Sequence, residues 1–233
     1  YLYSVVPSEM PTEYQKEALK AQAVCARSYA IKQMAGKRLA ALGAHVDDSV
    51  SFQVYNNLRE DAASIAAVNE TKGQVVFAEN QVAETYFYSV SAGVSAGIKE
   101  VWFAKKDRSY LMPCVFLGDS RKTLDLQKEA DFSEFLQGEI KSYDTNSPWY
   151  RWRTTVSEKQ LQQFISEKIK SRYEKNPTQI QTKQKDGTFF STGQTELGEI
   201  KKVEILKRGK SGVAVMAQIT GSKNTLRIYT EYN

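Results

Sequence analysis

Glu9 sits between Pro7 and Pro11 in the stretch VVPSEMPTEY, with Val5, Val6 and Met10 as its apolar neighbours. A carboxyl group can give a proton to a leaving oxygen and, as carboxylate, take one back; an apolar frame favours the neutral acid that the first step needs. The chain has a single histidine, His45, in the polar stretch LGAHVDDS with no nucleophile motif beside it. A Ser-His-Asp or Cys-His system would have to rest on that surface-type residue, so carboxylates are the expected carriers of any acid/base chemistry. His45, Asp47 and Asp48 lie too close together in the chain to close a metal shell by themselves. Cys25 and Cys114 are too few and too far apart for a disulfide framework or a Cys-based zinc site, and Cys25, among the small residues of QAVCARSYA, reads as a buried free thiol.

The elements that must position Glu9 follow from patterning. YLYSVV reads as a strand leading into the Pro-framed loop. Thr12, with Gln15 three residues on, has the pattern of a capping box, and a helix is expected from there to Met34 or Ala35, ended by Gly36. From Ala21 to Ile31 this helix is apolar nearly all round, as in a helix surrounded by protein, and Arg27 on it needs a buried acceptor, whether in a packing salt bridge or in an active site. REDAASIAAVNET reads as a second helix; GQVVFA and VAETYFYSV form a hairpin turning at Glu79 to Gln81; ADFSEFLQGEI and SEKQLQQFISEKIKSRY read as helices and WYRWRTTV as a strand. The C-terminal stretch from Glu199 alternates apolar and polar residues between turns at 209–212 and 221–224, a three-stranded meander. The expected fold is α+β, with antiparallel sheets packed around a long buried N-terminal helix.

The 233 residues, 41% hydrophobic and 25% charged, suffice for one large domain, 1–233, divisible into two lobes at about 1–145 and 146–233. No apolar run is long enough to cross a bilayer. The start at Tyr1, already inside a structured pattern, points to an upstream anchor or signal outside the chain. The net charge of +5 favours anionic partners, but Lys and Arg are scattered, the densest clusters being AKKDR at 104–108 and LKRGKSG at 206–212, and no nucleic-acid motif accompanies them. Gly93 and Gly97 in SAGVSAGIKEVW match neither a phosphate-binding loop nor a dinucleotide fingerprint, so no nucleotide cofactor is expected.

YLYSVVPSEMPTEYQKEALKAQAVCARSYAI resembles the opening of the stage II sporulation protein D family, and FQVYNN at 52–57, VNETKGQVVF, AETYFYSVSAG, KEVW and WYRW extend the similarity along most of the chain. Members look like lytic transglycosylases of peptidoglycan or, in a related branch, enhancers of cell-wall amidases. The resemblance implies that Glu9 is the catalytic acid, protonating the glycosidic oxygen and then taking the proton of the 6-hydroxyl as the sugar closes to a 1,6-anhydro ring. No second carboxylate is then required, unlike in hydrolytic glycosidases. It further implies that Gln22, Arg27, Gln53, Tyr55, Ser89, Ser91, Gly93 and Trp102 line the cleft, with packing as the alternative role for each; Tyr150 and Trp152 could stack on sugars or fill the core.

Two departures stand out. Where the family often carries a Cys and a His spaced for zinc, this chain has Val46 and Ser51, so no metal is expected. Where its loop usually reads His-Ser-x-Ser-Gly-Gly, this chain has YSVSAG, with Tyr88 and Ala92 in place of the His and the first Gly. The expected function is that of an extracytoplasmic, membrane-anchored lytic transglycosylase of a sporulating Gram-positive cell, working with a cell-wall amidase or endopeptidase and a membrane scaffold, without cofactor or nucleic acid. The alternative is a non-catalytic glycan-binding activator of an amidase.

Overall fold

The computed structural model describes residues 1–49, 51–102, 104, 106–116, 124–138 and 140–230; Lys105 of the first basic cluster and Glu231 and Tyr232 at the end of the meander lie outside them. The chain divides into two compact units, Tyr1–Ser89 and Val90–Asn233.

The first unit is built on three helices, α1 (Leu2–Glu9), α2 (Lys16–Met34) and α3 (Ala62–Glu70). Val6, Leu19, Ala23, Ala67 and Val68 form its core, with Leu2, Tyr3 and Met10 packed against it. YLYSVV is therefore helical and not a strand. Val5 and Val6 are fully buried, and that burial overrides a β-branched preference worth well under ~1 kcal/mol per residue. The helix also tolerates Pro7, whose missing N–H would leave the Tyr3 carbonyl without its intrahelical donor. The Ser64 hydroxyl of α3 donates to that carbonyl at 3.3 Å.

Glu9 consequently closes a helix instead of occupying a loop. Helix α2 starts later than expected, at Lys16 after Gln15, without a side-chain cap from Thr12, and ends as expected before Gly36. Its buried stripe is Leu19, Gln22, Ala23, Ala26 and Ser28, while Ala21 and Ile31 are exposed, so protein covers one face of it and not all sides. Helix α3 is capped by Asp61, whose Oδ1 accepts from the Ala63 N–H at 2.8 Å. The hairpin pairs only β1 (Phe77–Ala78) with β2 (Gln81–Val82), turning through Glu79 and Asn80, both at positive φ. Pairing stops early because Thr85 turns to α2, its hydroxyl donating to the Cys25 carbonyl at 2.7 Å.

The second unit begins with β3 (Val94–Ser95), paired to β4 (Cys114–Val115), and the short helix α4 (Ile98–Val101) between them. Helices α5 (Glu129–Gln137) and α6 (Glu158–Lys175) follow as the sequence predicts, the latter with a Ser157–Gln160 capping box. The meander is also as predicted: β7 (Ile200–Arg208), β8 (Ala214–Gly221) and β9 (Thr225–Tyr229). It is extended by β5 (Ile180–Lys183) and β6 (Phe189–Phe190) into an antiparallel sheet of order β6-β5-β9-β8-β7. Ile169 of α6 joins Ile180, Leu197, Ile219 and Leu226 in the core of this sheet. WYRWRTTV forms no strand: Tyr150 is buried while Trp149 and Trp152 are exposed. Among the described residues no helix is long and apolar enough to cross a membrane.

Leu19 is 1% exposed at the centre of the first core. Leu19→Ala should lower unfolding stability by about 2–5 kcal/mol in urea titration, whereas Tyr14→Ala, at a residue 52% exposed, should stay within about 0.5 kcal/mol.

Candidate functional site

Of the expected site residues of the first unit, Glu9, Gln53 and Tyr55 come together at an extended segment that has no sheet partner. Its backbone groups must be satisfied by other means. The Val54 N–H donates to Glu9 Oε1 at 2.8 Å. Two residues on, the Asn56 N–H donates to Ser8 Oγ at 3.0 Å, and that hydroxyl donates to the Ser4 carbonyl at 2.7 Å. The Tyr1 hydroxyl donates to Gln53 Oε1 at 3.0 Å, and the rings of Tyr1 and Tyr55 stack at 6.1 Å, 7° from parallel. Upstream, Arg38 donates to the Ser51 carbonyl at 3.2 Å and lies over the Phe52 ring at 4.6 Å. Beyond Asn56 the chain turns at Asn57, φ 51°. The last turn of α1 thus holds Val54 and Asn56, Tyr1 at its start holds Gln53 and Tyr55, and one oxygen of the Glu9 carboxylate is engaged by the Val54 N–H.

Gln22 and Gln53 are 5% and 3% exposed, and among the described residues the Nε2 group of each has no hydrogen-bond partner. Two buried amide donors left open in one unit are costly unless something else accepts from them. Arg27 is committed to the fold. It donates to the Gln74 and Val68 carbonyls at 2.9 and 3.0 Å and to Thr71 Oγ1 at 3.3 Å, holding the C-terminal end of α3 where a cation suits the exposed carbonyls. It needs a buried acceptor, as expected, and finds carbonyls and a hydroxyl.

The serine loop is divided between the units. Ser89 is exposed at the end of the first, whereas Ser91, Gly93 and Trp102 belong to the second. Ser91 is fastened to Asp144, its N–H and hydroxyl both donating to Oδ2 at 2.9 and 2.6 Å, and the Gly93 N–H donates to Ser91 Oγ at 3.1 Å. Gly93 has φ 93°, a conformation suited to glycine. Arg151 donates to the Ala92 carbonyl at 3.0 Å and lies over the Tyr150 ring at 4.0 Å, while the Tyr150 hydroxyl donates to the Ile140 carbonyl at 2.6 Å. Tyr150 is therefore committed to packing; Trp102 and Trp152 keep exposed ring surface, 38% and 70%.

The donor set does not fit zinc. Val46 and Ser51 are not zinc ligands, Asp47 is turned to the Ser49 N–H at 2.9 Å, and among the described residues no three His, Cys, Asp or Glu side chains are grouped for a metal ion. Sequence reasoning missed Tyr1, Ser8 and Asp144. Their signal lay only in which backbone N–H and side-chain groups of residues 53–56 and of the serine loop would lack partners, and that is not visible before the fold is known.

Burial, then the negative charges of Tyr29, Glu9 and Tyr55 in their ionised forms, push the Tyr1 phenol up to about 12 from 10.0. A phenol with a raised folded-state pKa gives stability that is present below pH 10 and is lost as pH climbs toward about 12. NMR titration of 13C-labelled tyrosine should show one phenol, absent in Tyr1→Phe, ionising in that upper range. Glu9→Gln should lower its midpoint by removing one of the charges.

Residues 1–77 match the stage II sporulation protein family, and residues 96–185 match a domain of unknown function. The chain is 34% identical over 113 residues to the amidase enhancer of Bacillus subtilis, covering 46% of this chain and 15% of that one. It is likewise 34% identical over 116 residues to the stage II sporulation protein D of Bacillus amyloliquefaciens and of Bacillus subtilis, covering 44% of this chain and 34% of each relative. The matched part thus spans about a third or less of these relatives' length. The similarity to the stage II sporulation protein family thus lies in the unit that holds Glu9.

Proposed function

We propose that the protein is a peptidoglycan lytic transglycosylase that works outside the cytoplasm in remodelling the cell wall during sporulation, with Glu9 as its single acid/base. The observation that carries this reading is the Glu9 carboxyl at the end of α1, whose Oε1 accepts from the Val54 N–H, in the same unit as the two unpartnered amide donors of Gln22 and Gln53. A glycan offers hydroxyl and acetamide oxygens as acceptors for such donors. In the reaction the protonated Glu9 gives its proton to the glycosidic oxygen as the bond from muramic acid C1 breaks. The resulting carboxylate takes the proton from the 6-hydroxyl of the same sugar as that oxygen bonds to C1, which restores the acid and leaves a 1,6-anhydro end. Gln22, Gln53 and Tyr55 bind and orient the strand, and Arg27 keeps α2 and α3 in place beneath them.

The second reading is a glycan-binding activator of a cell-wall amidase, anchored to the membrane through a segment outside this chain and assembled with a scaffold. The name of the amidase enhancer relative favours it, as does the serine loop, whose Ser91 is tied to Asp144 rather than presented as an open hydroxyl.

Purified protein and Glu9→Gln are incubated with peptidoglycan, including glycan stripped of peptides, and the products weighed by mass spectrometry. Anhydro ends from the parent, reduced at least a hundredfold in Glu9→Gln, are expected, since removal of a general acid costs about 10²–10⁴-fold. The amide keeps an oxygen for the Val54 N–H, so the melting temperature should hold. Reducing ends would point to hydrolysis. No cleavage by either protein, with faster turnover of an added amidase, would replace the enzyme reading by the activator.

A further inference from the structure

In the loop between α5 and α6 of the second unit, Tyr143, Trp149 and Trp152 stand in solvent, 87%, 71% and 70% exposed. Large rings left out so close together along a chain mark a surface that meets something. The loop that carries them is ordered. Its two ends are tied where the Tyr150 hydroxyl donates to the Ile140 carbonyl at 2.6 Å. Tight turns follow one another between those ends: the Thr145 N–H donates to the Ser142 carbonyl at 3.3 Å, the Ser147 N–H to the Asp144 carbonyl at 2.8 Å and the Tyr150 N–H to the Ser147 carbonyl at 3.1 Å. Tyr150 is 7% exposed and carries the Arg151 guanidinium over its ring at 4.0 Å, so this ring is taken into the protein while Trp149 and Trp152 on either side of it stay outside. Rings held out on a loop fixed at so many points need little further ordering when they bind.

We propose that this loop is a membrane-contact site that seats its rings in the interface of an anionic lipid bilayer. Tryptophan and tyrosine join an apolar ring to a polar edge and favour the depth of the lipid headgroups. Lys141 and Arg153, both exposed, flank the three rings in the chain. Asp144 is the only carboxylate from 140 to 156, and it is committed to Ser91, whose hydroxyl donates to Oδ2 at 2.6 Å. The segment therefore offers apolar rings beside cations, the complement of a layer of lipid phosphates over hydrocarbon. The net charge of +5 acts in the same direction and disfavours a second copy of the chain as the occupant. A glycan is the poorer fit, because a sugar is fixed by polar side chains aimed at its hydroxyls as well as by a ring. Here Ser142 Oγ accepts from the Asp144 N–H at 3.1 Å, Thr145 Oγ1 from the Ser142 N–H at 2.7 Å and Ser147 Oγ from the Trp149 N–H at 3.3 Å, so these side chains serve the loop itself. The inference is independent of any role of Glu9.

The test mixes the purified 233-residue chain with phosphatidylcholine vesicles made with or without phosphatidylglycerol. Binding is read by flotation, and ring depth by quenching from brominated lipid in a Trp102→Phe background, where Trp149 and Trp152 are the remaining tryptophans. Binding to the phosphatidylglycerol vesicles with quenching of both rings is expected, weakened at least tenfold when Trp149→Ala and Trp152→Ala are combined. Lys141→Gln with Arg153→Gln should weaken it about twentyfold, since each cation near an anionic surface is worth about fivefold. All four side chains are exposed, so the melting temperature should hold in each variant. Absence of vesicle binding, equal binding to neutral vesicles, or binding indifferent to the loss of both tryptophans would overturn the proposal. So would a tryptophan variant that keeps vesicle binding and loses binding to isolated peptidoglycan or self-association.

Discussion

An extended segment that joins no sheet still carries an N–H on every non-proline residue, and each must find an acceptor. In the first unit that requirement falls on residues 53–56, and the last turn of α1 meets it for Val54 and Asn56. Ser8 and Glu9 take the N–H groups of Asn56 and Val54, and Tyr1, at the other end of the helix, holds the Gln53 side chain. The helix must therefore stay rigid and correctly rotated through Pro7. The Ser64 hydroxyl on the Tyr3 carbonyl and the buried Val5 and Val6 serve that end. The candidate site inherits its geometry from this one solution to a backbone problem.

A second constraint concerns charge. Arg27 on the packed side of α2 faces carbonyls rather than a carboxylate, so the cation is matched by the negative end of α3 and no buried acid is required. In the second unit the analogous part is played by Asp144 and Arg151. They brace the serine loop from its N–H and carbonyl sides, Asp144 through Ser91 and Arg151 through Ala92.

What the sequence made legible was local. The hairpin turn at Glu79 to Gln81, Gly36 after α2, the helical stretches of α3, α5 and α6 and the alternation of the meander are each written within a few residues. What it hid was set by distant partners. YLYSVV has the composition of a strand and becomes a helix because α2 and α3 bury Val5 and Val6. WYRWRTTV has the pattern of a strand and does not become one, because Arg151 folds over Tyr150 and binds Ala92 far upstream in the chain. Ile180 and Phe189, too short a signal to read alone, become strands by pairing with the meander and with each other. Glu9 stood out as a proton carrier by elimination and resemblance, but nothing local revealed that its carboxylate also supports Val54.

The contact between Glu9 and Val54 bears on how a protein with the proposed function could change its trade. The oxygen that receives the Val54 N–H survives replacement of the acid by its amide, so the proton transfer proposed for Glu9 can be given up in one substitution without disturbing the scaffold. On the proposed function, a lineage could pass from cutting glycan to merely gripping it through a fully folded intermediate, with the cutter and the gripper one mutational step apart.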